Sequence, residues 1–451
     1  MVRSMTEGSP IKLILSFSIM VLLGDLFQQF YNIMDAVIVG RALGPEALAA
    51  VGATSSVQFL ILGFGMGICM GFAIPIAQRF GAKDYSNMRR YIRHGWILMG
   101  ILATVFTVAC AAATTSILRL LSVESDIFQM TYSYLFIIFL GIPCTLLYNY
   151  IANILRAIGD SRTPFLFLVL SALLNIGLDL LFICVFHWGC AGAAFATILS
   201  QGVSGILSFL YMHGHYSILR TLPGERDWSF ATARKLLSMG LPMGLQFSIT
   251  AIGMMVMQSS INGLGSAYSS AFAAGNRLKQ LMMTPINSLA SGTSTFVGQN
   301  YGASKPRRIS QGVLQSLLVA IGYTLLSGMV MILFGRHLTM LFLSEGSGVD
   351  RILGYSAYYL RCMGFCWWML AFLNIFRLST QGLGYSSLAV FAGVLEMAAR
   401  TFVCLVLAPR FGYDAIVWAD QTAWFMAASY IVPVFFLCMK KVRLRLSQAR
   451  A

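Results

Sequence analysis

Charge is what this chain has least of. Only 10% of its 451 residues are Asp, Glu, Lys or Arg, against roughly 25% in an ordinary soluble domain. With 58% of the residues hydrophobic, the composition excludes a solvated module and indicates an all-α polytopic membrane protein. A net charge of +15 by itself would suit nucleic acid. The basic residues, however, gather at alternate ends of apolar runs, as the positive-inside rule requires, so no nucleic-acid partner is expected. The nine cysteines show no C-x-x-C and no Cys/His metal spacing. They read as small core residues in a chain whose cytosolic side is reducing. Walker, HExxH and GxSxG motifs are absent, and nothing suggests an enzyme. The first apolar run is long, carries polar residues and is followed by no small-x-small cleavage site, so it is expected to stay as a span.

What is present is a succession of about twelve apolar runs, 11–39, 47–78, 92–118, 127–155, 163–187, 190–213, 233–262, 268–300, 309–334, 351–380, 386–409 and 413–439. The longest polar break runs from His213 to Arg234 and divides them six and six. The expected organisation is an N-lobe over 1–213, a cytoplasmic connector over 214–232 and a C-lobe over 233–451 with a basic tail. Counting Lys and Arg from Arg3 to Arg450, with Arg79 and Arg377 on the richer side, places 22 cations on one face and 5 on the other. That asymmetry predicts cytoplasmic termini and a cytoplasmic connector. A shift of 221 residues lays Leu43-Gly44 on Leu264-Gly265, Ala50 on Ala271, Gly71 on Gly292, Gln78 on Gln299 and Gly81-Ala82 on Gly302-Ala303. Two copies of an even number of helices predict lobes related by a pseudo-two-fold axis along the membrane normal, with a cleft suited to alternating access.

The first run carries Asp25, Gln28, Asn32 and Asp35, spaced three, four and three apart, which forms one polar stripe on a helix. Hydrocarbon satisfies neither amide nor carboxylate, so the stripe must face protein or a water-filled cavity. In the fifth run Ser171, Asn175 and Asp179 share a face, and the sixth adds Thr197 and Ser200. If the first and fifth spans pack together, Asp35, Asp179, Asn175 and Thr197 offer two carboxylates, an amide oxygen and a hydroxyl. That set suits Na⁺ or H⁺ equally; as bare helix glue it would hydrogen-bond across spans. Asp25 reads either as a second titrating site or as half of an ion pair.

In the second half Glu396 and Arg400 have the i, i+4 spacing of an internal pair. Arg277, Lys279 and Arg361 fall inside apolar runs and require a partner, a cavity or a snorkelling route. Overlapping GxxxG spacings between Gly63 and Gly71 predict close helix packing. Tyr31, Tyr148, Met254, Met257, Trp367 and Trp368 are candidate lining for an adaptable pocket, with ordinary packing as the alternative for each.

Three stretches carry a family resemblance: Met34 to Ala53 (MDAVIVGRALGPEALAAVGA), Leu155 to Pro164 (LRAIGDSRTP), and Asn175 to Gln201. In this order they resemble multidrug and toxic compound extrusion (MATE) transporters, and the resemblance is closer to bacterial branches that couple through the N-lobe. The resemblance implies a twelve-helix exporter of organic cations and amphipathic drugs, driven by H⁺ or Na⁺, with no other cofactor. It implies a monomer in the bacterial cytoplasmic membrane, with drugs and lipid as its partners. Asp35, Asn175, Asp179 and Thr197 match the family's N-lobe cation site, and Gln28, Tyr31 and Asn153 match positions near it. Acids found in the second lobe of several members are replaced here, at Thr250 and near Leu370. A flippase for lipid-linked saccharides is the alternative, kept open by Arg277, Lys279 and Arg361; a channel or receptor fits less well.

Overall fold

The structure, a computed structural model, describes residues 4–342 and 349–448. Arg3 and Arg450, both part of the charge asymmetry, lie outside the described residues. Each of the twelve expected runs is a helical rod: α1 Pro10–Leu43, α2 Pro45–Gly81, α3 Tyr85–Leu120, α5 Arg162–Val185, α6 Gly189–His215, α7 Phe230–Asn262, α8 Ser266–Gly302, α9 Pro306–Met340, α11 Ser386–Phe411 and α12 Tyr413–Arg445. The remaining two are bent. The pair Ser125–Leu140 and Ile142–Ala157 (α4) turns by 46°, and Val349–Cys366 and Met369–Gly382 (α10) turns by 58°.

The break in α4 has a cause in the sequence. Pro143 follows Gly141 and cannot donate to the carbonyl four residues earlier. Among the rods, α8 has the most polar composition, with Arg277, Lys279 and a dozen Ser, Thr and Asn residues. It falls short of an apolar span by hydropathy but occupies the place of one. On α3 the side chains of Ile101, Val105 and Val108 are 56%, 55% and 64% exposed, a stripe suited to lipid.

The turns explain the repeat. Gly44, before Pro45, has φ +92°, and Gly265, before Ser266, has φ +115°. Only glycine enters that region without strain, so both copies keep it.

Contacts divide the chain into two compact units. One holds Ile19–Gly244 and the other Met5–Ser18 with Leu245 onward. In the first unit, Gly67 and Gly71 of α2 face Gly240 and Gly244 of α7. A Cβ on Gly67 would lie 2.6 Å from the Met243 carbonyl oxygen, and one on Gly71 2.5 Å from the Gly240 Cα. The GxxxG spacing therefore marks backbone-to-backbone packing, as expected. The LRAIGDSRTP stretch is a capped turn. Asp160 Oδ1 accepts from the Arg162 and Thr163 amides at 3.0 and 3.1 Å, and Oδ2 accepts from the hydroxyls of Thr163 and Tyr216.

Residues after α6 fold back onto the same unit. Arg89 grips Glu225 with two hydrogen bonds, Nε to Oε2 at 2.7 Å and Nη2 to Oε1 at 2.5 Å. This charged donor holds the Glu225 carboxyl down at about 2. Nearby, His94 stacks on Trp228 with ring centroids 4.7 Å apart, and its Nε2 accepts the Ser229 amide at 2.8 Å. In the second unit, the Met5 amide donates to Gln299 Oε1 at 2.8 Å and Asn300 Nδ2 donates to the Met5 carbonyl at 3.1 Å.

Candidate functional site

The stripe on α1 delivers Asp35 to a buried cluster inside the first unit. Asp179 ends the regular part of α5, and the next residues, Leu180–Val185, widen into a π-helical turn. Such widening occurs often where a helix carries a functional side chain. The Asp35 and Asp179 carboxyl groups meet within hydrogen-bonding reach. Asp179 is fully enclosed and Asp35 is partly so.

Asn175, one turn before Asp179, has its amide nitrogen toward the carboxylate and donates to Oδ2 at 2.9 Å; its oxygen accepts from the Thr197 amide at 3.2 Å. The Tyr31 hydroxyl donates to Thr197 Oγ1 at 3.3 Å. Asp35 Oδ1 and Asp179 Oδ1 are buried and find no protein donor. Two like charges this close repel, so the pair calls for a proton or a small cation between its oxygens. The donor set, hard oxygens only, suits either.

Two members of this cluster escape a reading by spacing. Gln58 of α2 donates to Thr54 Oγ1 at 2.7 Å and is hydrogen-bonded with the Tyr134 hydroxyl of α4; Tyr134 is buried close to Asp35, Tyr31 and Asp179. A glutamine in the middle of the second apolar run is the only hint the sequence offers.

The other candidate residues fall elsewhere. Asp25 is half-buried on α1, about 15 Å along the helix from Asp35 at the usual rise per residue. Gln28 is half-buried and Asn32 exposed. Asn153 belongs to a ladder on α4: its Nδ2 donates to the Asn149 carbonyl at 2.8 Å, and Thr145 Oγ1 donates to Gln201 Oε1 at 2.6 Å. Tyr148 donates to the Pro164 carbonyl at 2.9 Å. In the second unit Met254 is half-buried and Met257 is enclosed. Trp367 is also enclosed, whereas Trp368 is exposed.

Glu396 and Arg400 do pair, at 3.7 Å, but their shorter bonds go to partners that spacing does not reveal. Arg377 Nη1 lies 2.9 Å from Glu396 Oε1, Arg400 Nε 2.9 Å from Asp420 Oδ1, and Lys279 Nζ 2.9 Å from Asp420 Oδ2. The Tyr359 hydroxyl donates to the same oxygen at 3.2 Å. Arg377, counted with the cation-rich face, is enclosed in this network. Lys279 has thus found its partner, whereas Arg277 and Arg361 are exposed.

Long apolar helices throughout the described residues, with a carboxylate pair enclosed in the first unit, are the architecture of a membrane transporter. Residues 21–181 and 242–406 match the MatE family. The probable multidrug resistance protein YpnP of Bacillus subtilis is 31% identical over 76% of this chain and 77% of its own. The multidrug export protein MepA of Staphylococcus aureus (strain N315) is 21% identical over 98% and 97%. The fold matches a crystal structure of MATE in the bent conformation with a TM-score of 0.91, at 24% identity and 98% coverage of both chains. The chain belongs to the MatE family of transporters.

Proposed function

We propose that the protein is a secondary multidrug efflux antiporter, expelling amphipathic organic cations in exchange for H⁺ or Na⁺ by alternating access of its two lobes. The observation that carries this reading is the buried Asp35–Asp179 pair, each with an Oδ1 that no protein group satisfies. Asn175, Thr197 and Tyr31 hold the pair in place. A cation entering between the carboxylates replaces repulsion with attraction and draws α1 toward α5. Exchange follows if one state of the transporter holds that cation better than the other, because only a difference in affinity shifts the balance. The names of YpnP and MepA support drugs as the cargo. The acidic interior of the first unit favours cationic cargo over the pyrophosphate of a lipid-linked saccharide. Gln28, Asn32, Asn153 and Met254 are the proposed cargo contacts, in a monomer of the bacterial cytoplasmic membrane with cytoplasmic termini.

The test is ethidium efflux from reconstituted vesicles, driven separately by a pH gradient and a sodium gradient. Asp35→Asn is expected to abolish efflux under whichever gradient drives the native protein, while the variant keeps its elution profile. Undiminished efflux by Asp35→Asn removes the site assignment, and no efflux by the native protein under either gradient removes the function.

A further inference from the structure

The ion network of the second unit stands where the first unit keeps its carboxylate cluster. Three sets of anchors fix the correspondence. Helices α2 and α8 begin at Pro45 and Ser266 and end at Gly81 and Gly302, 221 residues apart at both ends. The turns before α5 and α11 each contain a glycine of positive φ, Gly159 at +86° and Gly384 at +90°. Gly189 and Gly412, both at +60°, open α6 and α12. The register thus drifts from 221 to 225 and then to 223, which an ungapped comparison of the halves misses. Regular helix carries the anchors to Gln58, Lys279, Asn175, Arg400 and Thr197, whereas Tyr134 and Tyr359 are reached across the bends of α4 and α10 and Asp420 across a one-residue break at Trp418.

With these anchors Gln58 corresponds to Lys279, Tyr134 to Tyr359, Asn175 to Arg400, and Thr197 to Asp420. Four of the five residues surrounding the acidic pair in one unit thus correspond to the four at the core of the ion network in the other; the fifth, Tyr31, falls opposite Ile252. The carboxylates themselves have no counterpart. The 221 register places Val256 opposite Asp35, and the 225 register places Cys404 opposite Asp179. A π-helical turn follows the site in both units, at Leu180–Val185 and Val403–Leu407.

The charge logic is therefore inverted. In the first unit two carboxylates present oxygens without donors and call for a cation from outside. In the second, one carboxylate, Asp420, is filled on both oxygens by cations belonging to the chain, Lys279 on Oδ2 and Arg400 on Oδ1. Tyr359 adds a neutral donor, and Glu396 is held by Arg377 as well as Arg400. All five charged side chains are enclosed: 12% exposed for Arg377 and 7% or less for the others. Breaking one pair would leave an uncompensated charge in a dry interior, which is strongly unfavourable.

We propose that this network is a cation site with its cations built in. The ammonium of Lys279 and the guanidinium of Arg400 take the role that an exchangeable ion plays between Asp35 and Asp179, so the second half takes up no coupling ion. Ion exchange is confined to the first half, and Lys279 and Arg400 are the residues that set this stoichiometry. The inference builds on the antiport reading for the role of the first site, but its test reads ion binding rather than transport, so either can fail alone.

The test uses the full chain in lipid, with protonation followed by the carboxyl bands of infrared difference spectra and Na⁺ binding followed by calorimetry with sodium chloride. The groups facing Asp420 and Glu396 from neighbouring elements are Lys279, Tyr359, Arg377, Arg400 and Cys404. In an Asp35→Asn/Asp179→Asn background with the native network, the expected spectrum contains no band that Asp420→Asn or Glu396→Gln removes, and Na⁺ binding is lost. A band that either change removes, or retained Na⁺ binding, overturns the proposal. In the same background, Lys279→Gln/Arg400→Asn installs the first unit's residues. This variant is expected to gain proton or Na⁺ binding that a further Asp420→Asn abolishes. A folded variant that gains neither refutes it, and if the variant does not fold, the native-network arm alone decides.

Discussion

Asn175 donates its amide to Asp179 Oδ2 across 2.9 Å, one helical turn away on the same face of α5. This bond leaves Oδ1 as the open oxygen turned to the cluster and fixes the carboxylate against rotation. A hydrogen bond to a charged group contributes about 1.5–3 kcal/mol. Asn175→Leu is therefore expected to reduce gradient-driven efflux about tenfold or more, at roughly 1.4 kcal/mol per tenfold, without loss of folded protein. Efflux rates from vesicles, normalised to incorporated protein, check this; a native rate would mean that Asp179 needs no such restraint.

Thr197 works through its hydroxyl, which accepts from Tyr31 at 3.3 Å. Thr197→Val keeps the shape of the side chain but leaves a largely buried phenol without an acceptor, a cost of about 1–3 kcal/mol. Thr197→Ser retains the oxygen. Efflux and thermal stability should both fall for the valine variant and recover for serine. Equal behaviour of the two variants would show that packing, not the hydroxyl, is what the site uses.

How much of this was legible beforehand follows from the range of each interaction. Asn175 and Asp179 sit one turn apart in an apolar run, and the penalty for exposing them to lipid points inward, so their enclosure could be read directly. Asp35 could be paired with them only by assuming that α1 packs on α5. Gln58 and Tyr134 meet across two helices, and Lys279 and Asp420 are 141 residues apart; no local pattern encodes such meetings. The sequence did signal that Lys279 needed a partner. Likewise Arg377 lies near the end of α10 and counted with the cation-rich face, and its partner Glu396 is 19 residues further on in another rod, at no helical spacing.

The clamp between Arg89 and Glu225 predicts a pH dependence of stability. Glu225 is held at about 2 in the folded protein against an ordinary 4.5, chiefly by the Arg89 hydrogen bonds. A carboxyl held low contributes stability that is fully present above about 4.5 and lost as pH falls toward 2. The melting temperature of the native protein in detergent should exceed that of Glu225→Gln at neutral pH. The gap should shrink steadily in acid below the ordinary carboxyl range. A gap that is constant with pH would mean the clamp acts through shape and not through charge.

Two glycines separate packing from propensity. At Gly71 of α2 an added Cβ would sit 2.5 Å from the Gly240 Cα and 2.6 Å from the Met239 carbonyl oxygen, backbone that cannot yield. Gly71→Leu therefore has to force α2 and α7 apart, and the expected result is loss of monodisperse protein by fluorescence-detected size exclusion. Gly100 of α3 has nothing within 4 Å of its notional Cβ. There alanine meets no obstacle and should gain the usual helix preference over glycine, about 0.5–1 kcal/mol in water. Gly100→Ala is expected to melt at or above the native temperature and to transport normally. If Gly71→Leu were tolerated as well as Gly100→Ala, the close approach of α2 to α7 would not be needed for the folded unit. The GxxxG spacing between Gly67 and Gly71 would then be only a coincidence of composition in a glycine-rich helix.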